Sequence, residues 1–324
     1  MFGLPESIST RMRLPVIAAP MLRVSGVDLV TAACTAGAIG AFPTANARTI
    51  DDLDDWLTRL DQVTASRSAA PYCPNLIIRQ PRLEDDLACL LRHDVEVVIT
   101  SVGSPAAVLP ALHERGIFVL ADVATLHHAR KAIEAGVDGL VLLTAGAGGQ
   151  TGWMNPFAFV RAVREIFDGA IVLAGGIADG QALRAAEVLG CDLAYMGTKM
   201  IAADESMAPA TYKQMLVDSS LDDVMRTRAF TGLDTSMLVP SIVASGLDPA
   251  NLDEQVSAHT ATEMYGGRGK STSEGPRRWS DVWSAGHSVS GVRRLMGARE
   301  IIEQTLLEYE KCAPRTATRE AARP

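Results

Sequence analysis

A chain of 324 residues that is 48% hydrophobic and 21% charged can bury a sizeable core, as one barrel with an insertion or as two domains. A net charge of −8 with no basic block argues against nucleic acid as a partner, and any anionic ligand must be held by local N–H groups and a few cations. No basic-then-apolar leader opens the chain, no apolar run nears the roughly 18 residues of a membrane span, and the five cysteines form no CxxC, which together point to a cytoplasmic protein with reduced thiols.

In chain order, residues 14–19 (LPVIAA) form a short apolar run closed by Pro20-Met21, and 28–37 read as a helix. Residues 38–42 predict a second strand and 50–62 an acidic amphipathic helix; 72–78 predict a third, weaker strand containing Asn75, followed by a helix over 83–93. A fourth strand over 95–101, a helix over 106–115, a fifth strand over 117–122 and a helix over 125–135 continue the alternation. Apolar runs at 140–143, 171–173 and 193–196 add three strands, separated by helical segments at 157–167 and 181–189. Eight strands, each followed by a helix-length segment, are the number that closes a parallel (β/α)8 TIM barrel, an α/β fold.

Past Thr198 the alternation stops. Residues 202–288 hold helix-like pieces at 208–218 and 250–254 and a loop-rich stretch at 266–278. Emerging from the top of the eighth strand, they predict a small cap over the barrel mouth. Residues 290–310 then supply the closing helix. The expected organisation is a barrel over 1–201 and 289–312, a cap or substrate lid over 202–288, and a flexible tail over 313–324. Lys270, Arg277 and Arg278 form a local basic patch in the cap that either faces solvent or meets a nicotinamide phosphate.

The predicted ligand end is where the strands meet glycine. Gly175-Gly176 follows the seventh strand, and Gly197-Thr198 follows the eighth. Glycine lets backbone N–H groups approach an anion with no Cβ in the way, and these two corners are where a β/α barrel commonly grips phosphate. The glycines could instead serve only tight turns; two consecutive corners favour phosphate. His127 and His128 are adjacent, so they cannot face one way as metal ligands; they read as structural, and no metal site is expected. His93, His113 and His259 read as helix or surface residues, and no Ser-His-Asp or Cys-His arrangement stands out.

Residues 14–21 (LPVIAAPM), GAGGQTG at 146–152, AGGI at 174–177, YMGT at 195–198, Phe230-Thr231-Gly232 and WSAGH at 283–287 together resemble the nitronate monooxygenase (2-nitropropane dioxygenase-like) family, in its order and spacing. That resemblance implies an FMN-containing β/α barrel with a cap, whose related branches reduce quinones or enoyl thioesters with NAD(P)H. It implies that Ala19, Pro20 and Met21 pass along the flavin ring, that Asn75 meets ring or substrate, and that Asp122 lies near the flavin. Gly148 and Gly149 would line the flavin side of the sixth-strand loop, and Gly175, Gly176, Gly197 and Thr198 would hold the phosphate. The cap segment 283–287 would close on the ring and bring His287 as a candidate acid or base.

The chain departs from the family at two of these positions. Where the family's sixth-strand loop carries glycine-glycine-histidine, this chain has Gln150, whose amide can polarise a carbonyl or nitro oxygen but has no proton to lose near neutral pH. Where several relatives have lysine on the fifth strand, it has Asp122. The expected activity is oxidation of an alkyl nitronate or similar carbanion-like small molecule with oxygen. Alternatives are NAD(P)H-dependent reduction of a quinone or enoyl thioester, a non-redox barrel enzyme for a phosphorylated substrate, and a flavin-binding protein without catalysis. A homodimer is compatible with each.

Overall fold

The apolar runs become short parallel strands that close on themselves: β1 (Val16–Ala18), β2 (Ile39–Pro43), β3 (Tyr72–Ile77), β4 (Val97–Ser101), β5 (Phe118–Val123) and β6 (Gly139–Leu143). A two-residue strand outside the barrel, β7 (Gly149–Gln150), precedes β8 (Ala170–Ala174) and β9 (Leu193–Met196), and β9 pairs back to β1 with Tyr195 opposite Ile17. The structure, a computed structural model, describes residues 3–65, 68–265 and 276–312. Its closed eight-stranded parallel barrel is the (β/α)8 fold.

Both faces of each strand are buried, for different reasons. Ile17, Ile39, Val97, Leu120, Val141 and Val172 fill the barrel interior. Their alternate neighbours, among them Val16, Leu76, Val98, Val119, Leu140 and Ile171, meet the surrounding helices. Leu4, Ile8 and Met12 belong to the interior cluster and, with the Gly3 N–H donating to Asp192 Oδ1 at 3.1 Å just before β9, plug the N-terminal end. The C-terminal mouth is therefore the end left for a ligand.

The helices start and stop on local chemistry. Thr49 and Asp52 form a capping box for Ile50–Thr64, and Asp179 caps Gly180–Leu189 through Ala182 N–H, which Gly190 ends in the left-handed conformation. His93, expected on a helix or at the surface, is held between two carboxylates, Nδ1 2.7 Å from Asp61 and Nε2 3.2 Å from Asp54. The helix expected over 250–254 is instead a single 3₁₀ turn, Pro249–Asn251, capped by Asp248; beyond it Leu252 is extended. The closing helix begins at Ala298 rather than 290, because His287–Gly291 is a 3₁₀ turn and Gly297 is an extended N-cap. Among the described residues, no helix is long and apolar enough to cross a membrane.

Between β9 and the closing helix, β10 (Val224–Thr227) and β11 (Thr235–Leu238) pair antiparallel, and β11 takes β7 as its other neighbour, with Thr235 opposite Gln150. This sheet thus draws one strand from outside residues 202–288. Two apolar clusters support it, one around Phe230, Met237, Ile242 and Val282, the other around Tyr212, Leu216, Leu238 and Val289. Of the expected basic patch, Arg277 pairs with Asp281 at 3.2 Å and Arg278 donates to the Phe230 carbonyl at 3.0 Å, so both cations tie this region together. Lys270, with the rest of 266–275, and the expected tail 313–324 lie outside the described residues.

Candidate active site

At the ends of β8 and β9 the backbone turns with its donors unspent. Among the described residues, the N–H groups of Gly176, Ile177 and Thr198 make no hydrogen bond. Gly176 has φ +77°, a conformation that strains most side chains, and a Cβ built there meets no heavy atom within 4 Å. A Cβ on Gly197 comes no nearer than 3.5 Å to its neighbours. Unpaired N–H groups beside open space form an anion cradle. Beside it, Lys199 Nζ donates to the Ala178 carbonyl at 2.8 Å; burial lowers its pKa, opposed by the charges of Glu308 and Asp179.

The glycine-rich loop after β6 is stitched to the segment before the closing helix. Gly149 N–H donates to Ser284 Oγ at 2.6 Å, which donates in turn to the Ser236 carbonyl at 2.6 Å. Gly286 N–H donates to Thr198 Oγ1 at 2.9 Å, and His287 N–H to the Gly146 carbonyl at 2.9 Å. The two backbones touch: a Cβ on Gly286 would lie 2.6 Å from the Gly146 carbonyl oxygen. Residues 284–287 therefore span from the β6 loop to the β9 corner. We expect Ser284→Ala to strand the Gly149 N–H and the Ser236 carbonyl and to cost about 1–2 kcal/mol; a fall in melting temperature with faster amide exchange at Gly149 checks this.

The other expected residues fall around this frame. Gln150 is exposed on β7, its backbone paired with β11, which leaves its amide side chain free of the sheet. His287 is exposed, with its ring beside Gly146, whose added Cβ would sit 2.7 Å from Nδ1. Gly148 is exposed in the same loop. At Ala19 and Met21 the N–H groups are spent within the chain: Ala19 N–H donates to the Met196 carbonyl at 3.1 Å and Met21 N–H to Ser25 Oγ at 3.1 Å. Pro20 has no N–H, so this turn presents carbonyls and side chains instead. Trp283, in the segment expected to close on the ring, stacks on Tyr212 with ring centroids 4.9 Å apart and donates its indole N–H to the Ser280 carbonyl.

Inside the mouth, Asn75 is buried and Ser101 donates to its Oδ1 at 3.0 Å. Asp122 ends the inward face of β5, and its Oδ1 is sealed without a hydrogen-bond partner; burial raises its pKa to about 7. Tyr195, inward on β9, has a buried hydroxyl that likewise lacks a partner. Sequence reasoning quoted Tyr195 and Ser284 within motifs without giving either a role of its own, and passed over Tyr212. Only Tyr195 carried a signal: period-two alternation through Leu193 puts it on the inward face.

Residues 84–308 match the sequence profile of the nitronate monooxygenase family, which is most of the chain. The chain belongs to that family. Among nitronate monooxygenase relatives, the enzyme of Paraburkholderia phytofirmans is 27% identical over 278 residues, covering 72% of this chain and 76% of that protein. A Mycobacterium tuberculosis (3aS,4S,5R,7aS)-5-hydroxy-7a-methyl-1-oxo-octahydro-1H-indene-4-carboxyl-CoA dehydrogenase is 26% identical over 232 residues, 71% of this chain but only 64% of that protein's length. The crystal structure of nitroalkane oxidase from Streptomyces ansochromogenes superposes with a TM-score of 0.78 at 26% identity, covering 96% of this chain and 99% of that one. The nitronate monooxygenase and nitroalkane oxidase relatives are oxidoreductases, and in β/α barrels generally the C-terminal mouth is where ligands bind.

Proposed function

We propose that this chain is a cytoplasmic FMN-dependent oxidoreductase that oxidises an alkyl nitronate or similar carbanion-like small molecule, with oxygen as electron acceptor. The observation that carries it is the set of unspent donors at the mouth: N–H groups at Gly176, Ile177 and Thr198 around an open corner, and orphaned polar atoms on Asp122 and Tyr195. These residues fit FMN, because a terminal phosphate would satisfy the corner and a planar, polar-edged ring would satisfy the interior. Bound there, the flavin supplies the electron transfer and the reaction with oxygen.

The protein's own part is orientation and exclusion of water. Gly176, Ile177 and Thr198 N–H would hold the phosphate, Gly175 and Gly197 would keep Cβ atoms out of its way, and the Thr198 hydroxyl, already accepting from Gly286, keeps its hydrogen for donation. Ala19, Pro20, Met21, Gly148 and Gly149 would flank the ring, and Asn75 would present its amide. Gln150 would hold the substrate oxygen, and His287 would be the nearby imidazole for proton transfer. The segment 202–288 would serve as the lid, anchored by Ser284 and Gly286.

One observation favours a second reading, reduction of a quinone or enoyl thioester at the expense of NAD(P)H. The loop over 143–152 contains no ionisable side chain, so the loop itself offers no base to deprotonate a substrate. A relative that acts on a coenzyme A thioester is compatible with this reading. An absorption spectrum of the purified protein, before and after anaerobic NADPH or NADH, separates the cases. Oxidised-flavin bands that resist the nicotinamide but bleach with an alkyl nitronate support the first reading. Bleaching by the nicotinamide supports the second. A colourless protein that takes up no added FMN overturns both and favours a barrel enzyme for a phosphorylated substrate.

A further inference from the structure

Asp122 and Tyr195 lie three strands apart round the barrel yet face the same interior. Asp122 follows Leu120 on the inward face of β5, and Tyr195 follows Leu193 on the inward face of β9. Each has a buried polar atom with no partner, an arrangement normally relieved by a ligand or ordered water. After burial itself, the Asp122 charge helps to push up both the Tyr195 phenol and the Cys73 thiol, which places Cys73 on β3 as the third titratable group in that space. The other polar neighbours, Asn75 and Ser101, are bonded to each other and uncharged. Burial alone acts on the Asp122 carboxyl; no cation in the described structure is near enough to oppose it. The residue as a whole is half-buried, while its Oδ1 is out of reach of solvent.

We propose that Asp122 and Tyr195 form a charge-neutral anion subsite, in which a carboxylic acid O–H and a phenol O–H donate to a delocalised anion bound in the mouth, in place of a cation. The ligand class is a planar π-anion with its charge on oxygen or nitrogen, either a nitronate- or enolate-like substrate or the edge of the cofactor ring. The second source rests on the flavin reading above; the first does not. Two neutral donors in a dry pocket stabilise such an anion without the strong binding of a full counter-ion. Above its pKa the Asp122 carboxyl is an acceptor that repels the same ligand, so the subsite closes as pH rises. Tyr195 and Cys73, both pushed upward by burial, stay neutral through this range.

The probe is nitrite, a small planar anion, titrated by calorimetry from pH 6 to 9 into flavin-free and FMN-loaded protein; FMN affinity is measured in parallel. If the subsite serves substrate, nitrite affinity of the loaded protein is flat at low pH and falls about tenfold per unit once Asp122 ionises. If it serves the ring, that same fall appears in FMN affinity. In both cases Asp122→Asn, which keeps an N–H donor and never ionises, removes the pH dependence while staying within roughly threefold of the native protein at pH 6. Tyr195→Phe weakens binding about tenfold at every pH without moving the break. A protein that takes up no FMN defeats the flavin reading alone, since nitrite binding to the flavin-free form still tests the subsite. The proposal is overturned if Asp122→Asn leaves both pH profiles unchanged, or if neither nitrite nor FMN affinity depends on pH. A protonated-carboxyl infrared band at neutral pH that is absent from Asp122→Asn reports the neutral acid with no ligand present, and its absence from the native protein also overturns the proposal.

Discussion

Gly176→Asp protein is expected to purify colourless, whereas Gly176→Asn protein keeps its flavin. The two side chains are nearly isosteric, and both tolerate the φ of +77° better than most residues. A Cβ at this position enters open space, so neither variant forces a backbone clash. What separates them is charge. The aspartate places a carboxylate in the corner lined by the Gly176, Ile177 and Thr198 N–H groups, where it takes the donors and repels a phosphate dianion. A loss of about 3–4 kcal/mol in FMN binding, or some hundredfold or more in affinity, follows from one repelled dianion in a partly dry corner. Flavin content on purification and FMN titration of the apoprotein measure it. Equal flavin content in the two variants would remove the phosphate from this corner.

Tyr212→Ala is expected to cost about 3–5 kcal/mol and to loosen residues 283–287 while leaving the barrel folded. Tyr212 is 5% exposed, stacks on Trp283 and donates its hydroxyl to the Ser284 carbonyl at 2.5 Å. Removing the ring leaves a cavity in the cluster formed with Leu216, Leu238 and Val289, and strands a buried carbonyl. Ser284 and Gly286 connect this cluster to Gly149 and Thr198, so damage there should reach the mouth. Tyr212→Phe keeps the stacking and loses only the hydrogen bond, about 1–2 kcal/mol. Hydrogen exchange resolved by residue distinguishes local from global effects. Uniform loss of protection across the barrel strands would show that this cluster is part of the barrel's cooperative unit rather than a lid built upon it.

Much of the barrel is legible because its signals are local. Each strand is a short apolar run ending in small residues, and each helix carries its own periodicity and cap, as at Thr49 and Asp179. The glycine corners after β8 and β9 are equally local: residue type and position at a strand end suffice to mark them. The resemblance contributed what local pattern does not, marking Gln150, Asp122 and His287 as the positions to watch.

What sequence reading did not reach depends on contacts far apart in the chain. Strands β10 and β11 are four residues each, too short for alternation to show, and β11 is held by pairing with Gly149 and Gln150 across more than eighty positions. The 250–254 segment looked helical by composition, but Pro249 and the Asp248 cap limit it to one turn. Trp283 looked like a lid over the ring and is a stacking partner for Tyr212, a choice made by packing. By itself, the sequence determined the barrel's strand count, the order of its helices and the two N–H-lined corners, because those follow from patterns within a few residues. Only the tertiary structure decided that Ala19 and Met21 spend their N–H groups internally, that Ser284 joins loop to cap, and that Asp122 and Tyr195 are left unpaired in one interior, because a hydrogen bond's presence or absence is a property of which distant atoms meet.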